Sequence, residues 1–264
     1  MNTVCTHFGL RHSPFSDTFP LKEAHLTRAE TADLERMVNL IGEGKNFALT
    51  GEPGSGKSML LRTLAEKLDS KSFRIACVPY AGQKPNAVLR EICEKLKIDT
   101  AGRTPLLSRL HKSLARSAEA PYAVIILDEA HGLPQEAMNA LFSLTHDPLT
   151  RTSAASIILA GHPNLEKMLA LDIYASVRTR LAIRFRMNPL DEEGIKEFIA
   201  FRLALVKAPK DLFQPEAVSM IALDSKGNRR MIMNLAGNCL NLAMVRCEKI
   251  ITDGLAREAA DEML

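Results

Sequence analysis

Long apolar runs are absent from this sequence. Its short ones, such as Ala123 to Leu127 and Ile157 to Ala160, fall far below the roughly 20 residues of a bilayer-spanning helix. Met1 to Asp17 also lacks the basic start followed by an apolar run that marks a secretory leader. A cytoplasmic location with no membrane partner is therefore expected. Cysteine is sparse and odd in number: Cys5, Cys77, Cys93, Cys239 and Cys247 include no C-x-x-C pair. That excludes a disulfide framework or a zinc knuckle and predicts mostly buried thiols. Neither charge sign dominates, since 34 Lys and Arg against 31 Asp and Glu leave a formal net charge of +3. Gly/Ser linkers, low-complexity tracts and solenoid-period repeats are missing too. What remains, 46% hydrophobic and 25% charged residues in 264, suits one large globular domain or a domain with a small appendage.

Charge is nonetheless segregated. Lys84 to Arg116 holds eight Lys or Arg and three acids, whereas Glu248 to Leu264 holds two basic and five acidic residues. Hydrophobic patterning divides the chain similarly. Strand-like runs at Asn46 to Thr50, Phe73 to Val78, Tyr122 to Leu127, Ser156 to Ala160 and Ala182 to Met187 alternate with helix-length segments, which predicts a layered α/β sheet. Ala123 to Leu127 is apolar at every position, as in a parallel strand covered on both faces, and is expected near the middle of the sheet. After Pro189 the pattern turns helical, over Asp191 to Lys207, Pro215 to Leu223, Arg229 to Lys249 and Asp253 to Met263. The expected organisation is a nucleotide-binding α/β domain over 1–190 and an all-helical lid over 191–264.

The sharpest signal is Gly51-Glu52-Pro53-Gly54-Ser55-Gly56-Lys57-Ser58, a G-x-x-x-x-G-K-[ST] loop between a predicted strand and the helical pattern that begins at Met59. Glycines let successive backbone N–H groups face phosphate oxygens, and the helix N-terminus adds its positive end. Lys57 is then expected on the β- and γ-phosphates and Ser58 on Mg²⁺. Asp128-Glu129 ends the third strand. Asp128 is the second candidate metal ligand and Glu129 the candidate base for the attacking water. Together these motifs predict Mg²⁺-dependent ATP hydrolysis. Asp128 to His131 also spells D-E-A-H, but a helicase requires a second motor domain that 264 residues are not expected to hold, so His131 is assigned to the loop or to packing.

Gly161-His162-Pro163 follows the fourth strand and places His162 where it can sense the γ-phosphate or position water. A satisfied loop histidine is the plainer alternative. Arg178, Arg180, Arg184 and Arg186 crowd a short segment without an acid, as expected where one guanidinium reaches a neighbouring subunit's γ-phosphate. Arg180 is the first candidate and Arg178 the second, while Arg184 and Arg186 share a strand face suited to salt bridges. Near the start of a long helix, Arg229 and Arg230 are candidates for a phosphate contact in cis, with Arg230 preferred.

These residues resemble the AAA+ ATPases of the ExeA/GspA-like group, which includes the transposon target-selection ATPases TniB, TnsC and Mu B. Phe8-Gly9-Leu10 with Pro14-Phe15 looks like the group's N-terminal F-G-L-x-x-x-P-F box. Gly161 to Leu165 resembles its G-Q-P-x-L stretch, Arg180 to Arg184 its Q-R-I-x-x-R segment, and Gly227 to Arg230 its G-x-P-R turn. The chain departs from the pattern at His162, Arg229 and Met233. The resemblance implies a three-layer P-loop fold with a five-stranded parallel sheet, and Phe8, Pro14 and Phe15 bordering adenine. It also implies an ATP-dependent homo-oligomer, ring or filament, whose sites are completed by a neighbour's arginine.

Secretion members of the group are expected to continue into a membrane anchor. A module of this size looks more like the transposon ATPases, which assemble on duplex DNA and recruit a transposase. Gln83, Lys84, Lys97 and Arg103 are the candidate DNA contacts, because loops after the second AAA+ strand can line a channel. A solvated helix face over Asn86 to Lys97 is the plainer reading. The alternatives are a secretion-type or signalling switch that engages only proteins, and a helicase loader.

Overall fold

The computed structural model describes residues 3–16, 24–80, 82–114, 120–145 and 153–263. Five apolar runs form β1 (Asn46–Thr50), β2 (Phe73–Pro79), β3 (Tyr122–Asp128), β4 (Ala155–Gly161) and β5 (Leu181–Arg186). Every strand pair is parallel, in the order β2-β3-β4-β1-β5. β1 and β4 are buried at every position, as parallel strands covered on both faces must be. β3 is interior but not central. The middle belongs to β4, because β1 pairs on its far side.

The helices in chain order are α1 (Val4–Phe8), α2 (Arg28–Gly42), α3 (Lys57–Lys67), α4 (Pro85–Lys95), α5 (Leu106–Leu114), α6 (Gln135–Ser143), α7 (Asn164–Ala170) and α8 (Ala175–Arg178). They continue with α9 (Glu192–Leu205), α10 (Pro215–Ser225), α11 (Arg229–Val245) and α12 (Asp253–Asp261). By their internal contacts the residues form two compact units. The sheet unit is Arg28–Pro53 with Lys57–Met187, and the helical unit is Met1–Thr27, Gly54–Gly56 and Asn188–Leu264.

In the sheet unit, α3 starts at Lys57 itself, so the loop's last residues open the helix. α4 starts at Pro85, whose fixed φ and missing N–H suit a first helical position. It buries Val88, Leu89, Ile92 and Cys93, the apolar face that the helical spacing predicts. On its outer side Lys95 and Glu91 lie 3.7 Å apart. β5, a sheet edge, buries Phe185 and exposes Arg184 and Arg186.

In the helical unit, α9 to α12 enclose a core that includes Phe15, Ile195, Phe198, Phe213, Ile232 and Leu255. Asp191 and Thr252 cap α9 and α12 by accepting from Gly194 N and Leu255 N. α11 stops at Val245, short of the predicted Lys249, because Cys247 takes φ 60°, outside helical geometry. The expectation of mostly buried thiols does not hold. Cys93 and Cys239 are buried and Cys5 is half-buried, while Cys77 and Cys247 are exposed. Cys77 points outward from an edge strand and Cys247 lies past a helix end. Burial pushes the Cys239 thiol up to about 12. Among the described residues no helix is long and apolar enough to cross a membrane.

Candidate nucleotide site

The loop after β1 needs its glycines. Gly54 and Gly56 have φ of 82° and 106°, the left-handed region that side chains disfavour. At Gly54 a Cβ would also lie 2.5 Å from Asn228 Oδ1 and 2.7 Å from Arg230 Cβ. Gly51 is buried and Glu52 and Pro53 are exposed. Lys57 is only 6% exposed, and its Nζ donates to the carbonyls of Gly51 (2.7 Å) and Glu52 (3.1 Å). Ser55 is buried, and among the described residues its Oγ has no hydrogen-bond partner. A buried hydroxyl without a partner in this glycine-containing loop fits a polar ligand. Met59 lies one residue further, half-buried on α3.

Ser58 and Asp128 meet in the sheet unit, with Ser58 Oγ donating to Asp128 Oδ2 at 3.3 Å. Two hard oxygens at one point fit Mg²⁺, which takes few protein ligands and completes its shell with phosphate and water. No group of three or more His, Cys, Asp or Glu able to hold a metal forms among the described residues. Glu129 is exposed and adopts φ 54°, a conformation that costs a non-glycine residue roughly 1 kcal/mol and is found at functional sites. Its N–H donates to Asp128 Oδ1 at 3.0 Å. At the end of β4, His162 Nε2 lies 3.1 Å from Glu52 Oε2. His162 Nδ1 accepts from Asn164 N at 3.1 Å, so this network places the proton on Nε2, facing Glu52.

Three of the four clustered arginines, Arg178, Arg180 and Arg186, are engaged within their own chain. Arg178 Nη1 donates to the carbonyls of Leu169 (3.0 Å), Ala170 (2.8 Å) and Leu171 (3.4 Å) and so caps the C-terminal end of α7. Arg180 Nη1 donates to Phe142 O at 3.0 Å, at the end of α6, and the residue is otherwise exposed. Arg186 Nε lies 2.9 and 3.1 Å from the two Glu166 oxygens, and Thr50 Oγ1 donates to Glu166 Oε1 at 2.6 Å. Arg186, against the effect of burial, holds the Glu166 carboxyl below its ordinary range. Glu166 thus ties the last residue of β1, just before the loop, to the end of β5. No motif singles it out in the sequence.

In the helical unit, Asn228 caps α11 by accepting from the N–H groups of Arg230 and Met231. Arg229 is 8% exposed, and its Nη1 donates to Ser55 O at 2.5 Å. Arg230 reaches Gly54 O through its main-chain N at 3.2 Å, with its side chain exposed. The guanidinium on the loop is therefore that of Arg229. Pro14 and Phe15 are buried and Phe8 is half-buried. The Phe15 ring stands edge-on to Phe213 at 5.7 Å. Arg202, 2% exposed, donates from Nε to Pro14 O (2.6 Å) and from Nη2 to Ser16 O (3.3 Å). Sequence patterning does not reveal it, since an arginine on an amphipathic helix reads as surface.

The candidate DNA contacts are not gathered. Gln83 and Lys84 precede α4, Lys97 follows it, and Arg103 lies in the next loop. An eleven-residue helix separates its ends by about 16 Å. Lys84, Lys97 and Arg103 are exposed, whereas Gln83 donates to Pro79 O at 3.3 Å. Lys84, Arg90 and Lys95 share a recess of about 660 Å³ with Glu91 and Glu94.

Residues 41–169 match the AAA domain family. The general secretion pathway protein A of Aeromonas hydrophila is 26% identical over 261 residues, 97% of this chain and 48% of that protein. The chain thus spans about half the length of the curated relative it matches. Among solved structures, the Cdc6p protein of Pyrobaculum aerophilum superposes with a TM-score of 0.75 at 20% identity, covering 95% of this chain and 70% of that one. The ORC1 protein of Aeropyrum pernix, solved in complex with DNA, gives 0.67 at 18% identity, covering 91% and 66%. The five-stranded all-parallel sheet, the helices around it and these likenesses show that the fold is that of the AAA+ P-loop ATPases.

Proposed function

We propose that this chain binds and hydrolyses ATP with Mg²⁺, and that its ATP-bound form assembles with copies of itself on duplex DNA to select a target and recruit a transposase. The observation that carries the ATPase reading is the pairing of Ser58 with Asp128 beside the left-handed Glu129. Ser58 and Asp128 would hold Mg²⁺, which would supply neutralisation of phosphate charge. The residues Gly51 to Met59 cradle the nucleotide, with Lys57 on the terminal phosphates. Glu129 takes a proton from the attacking water as the new P–O bond forms and the β,γ-bridging bond breaks, leaving ADP with the electron pair. His162 orients this arrangement. Phe8, Pro14 and Phe15 border the adenine, and residues 191–264 act as the lid. Arg180, once released from Phe142 O, serves a neighbouring subunit. In cis the phosphate contact falls to Arg229 or Arg230, and the buried guanidinium favours Arg229.

DNA engagement is supported by the basic segment that begins at Lys84, by the resemblance to the transposon ATPases, and by the DNA complex of the ORC1 neighbour. Gln83, Lys84, Lys97 and Arg103 are its contacts, and the work is cytoplasmic. The test is filter binding to duplex DNA of arbitrary sequence with a nonhydrolysable ATP analogue. Binding is expected only with nucleotide, and weaker as salt rises. No binding at low salt overturns the DNA reading and leaves the second one. That reading is an ATPase of secretion type, favoured by the 26% identity to the secretion-pathway protein along nearly the whole chain.

A further inference from the structure

His131 occupies a place that neither motif explains. It sits in the short turn Ala130–Gly132 that follows Glu129, and its ring is 33% exposed. Its Nδ1 lies 3.3 Å from Glu129 Oε2 and 3.4 Å from the main-chain N of His162. The room for this ring comes from Gly161, where a Cβ would lie 3.2 Å from His131 Nδ1. The two contacts make opposite demands on one atom. Glu129 calls for a proton on Nδ1, whereas the His162 N–H calls for a lone pair. The His162 N–H is the hydrogen bond of this conformation, long at 3.4 Å, whereas Glu129 brings a full negative charge to 3.3 Å; a charged acceptor attracts the proton more strongly than a neutral amide opposes it, so the demand of Glu129 prevails.

We propose that His131 is a positioning residue for hydrolysis, which donates from Nδ1 to the Glu129 carboxylate and fixes the side chain that activates water. The need is physical. Glu129 is 51% exposed in its side chain and has several rotatable bonds, and an unrestrained base loses much of its effect through misplacement. This inference rests on the ATPase reading above.

The test uses the full chain with His131→Ala, His131→Asn and His131→Asp, alongside wild type and Glu129→Gln. It measures steady-state hydrolysis with and without duplex DNA, affinity for a fluorescent ATP analogue, and melting temperature. His131→Ala is expected to lower kcat roughly ten- to a hundredfold with KM and nucleotide affinity changed less than about twofold. His131→Asn retains a donor near the Nδ1 position and is expected to recover most of the rate. His131→Asp keeps an acceptor for His162 N but sets a second carboxylate beside Glu129, so it is expected to be no better than alanine. Rescue by Asp and not by Asn overturns the proposal in favour of the His162 contact. Parallel loss of rate, affinity and melting temperature without rescue by Asn overturns it in favour of packing. Hydrolysis that Glu129→Gln abolishes but His131→Ala leaves intact overturns this proposal alone. A wild type that hydrolyses no ATP overturns the ATPase reading and this proposal with it.

Discussion

Ser58 Oγ and Asp128 Oδ2 lie 3.3 Å apart although seventy positions separate them. The contact joins the first turn of α3 to the end of β3, and it unites the two motifs expected to hold one cation. Asp128→Asn is therefore expected to reduce Mg²⁺-dependent hydrolysis by roughly two to three orders of magnitude. Nucleotide affinity measured without metal should change little. Lys57→Ala should instead weaken nucleotide binding itself, and Glu129→Gln should keep binding while stopping turnover. Fluorescent-nucleotide titrations with and without Mg²⁺ separate these outcomes. Equal loss of metal-free affinity in all three variants contradicts the assignment.

Arg178 and Arg180 differ in what holds them, and the difference is measurable. The Arg178 side chain donates to three carbonyls at the end of α7, whereas among the described residues the Arg180 guanidinium donates to Phe142 O alone. Arg178→Ala should destabilise the protein by about 1–2 kcal/mol through the lost helix cap. Arg180→Ala should cost less than about 1 kcal/mol yet abolish hydrolysis, and activity should return in part on mixing with Lys57→Ala subunits. No recovery in the mixture, with Arg178→Ala subunits complementing instead, reassigns the trans contact to Arg178.

How much of this is legible in the sequence depends on range. The loop Gly51 to Ser58 and the pair Asp128-Glu129 are local patterns, and so are the apolar strands that carry them. The exposed face shared by Arg184 and Arg186 follows from simple alternation. Glu166 could not be read in this way. Its partners, Thr50 and Arg186, lie 116 and 20 positions distant, and no local spacing encodes such a meeting. Arg202 is harder still, because its partner Pro14 is 188 positions away and buried arginine inverts the usual rule for helix patterning. The central place of β4 depends on which side β1 chooses, a property of the whole sheet. The five-residue α1 is too short to display a helical period.

Glu166 predicts a pH dependence of stability. Arg186 and the Thr50 hydroxyl favour its charged form and burial opposes it, with a net downward shift. A depressed folded-state value means a contribution that is fully present above the unfolded value, about 4.3, and is lost as pH falls through the folded value. Because Arg186 is 68% exposed, the ion pair is screened and its worth is modest. Glu166→Gln should cost about 1 kcal/mol at neutral pH, and its deficit should shrink below about pH 4. Urea denaturation across pH 3 to 7 checks this. A deficit that stays constant over that range places the effect in packing and not in charge.

Arg202 fixes the N-terminal box from within the helical unit. Its Nε and Nη2 satisfy the carbonyls of Pro14 and Ser16, which flank Phe15 and its edge contact with Phe213. Replacing Arg202 with Met fills most of the volume but leaves both carbonyls without that donor, at a cost of roughly 2–3 kcal/mol. If Phe8, Pro14 and Phe15 border adenine, the loosened turn should also weaken adenine nucleotide affinity several-fold and narrow the preference for ATP over GTP, while inorganic triphosphate binds as before. Arg202→Lys, which keeps one charged donor, should restore part of both effects. Calorimetric melting together with competition by ATP, GTP and triphosphate reads out the two consequences separately. Loss of stability with unchanged base preference limits Arg202 to holding the fold, and equal weakening of triphosphate places its effect on the phosphate loop.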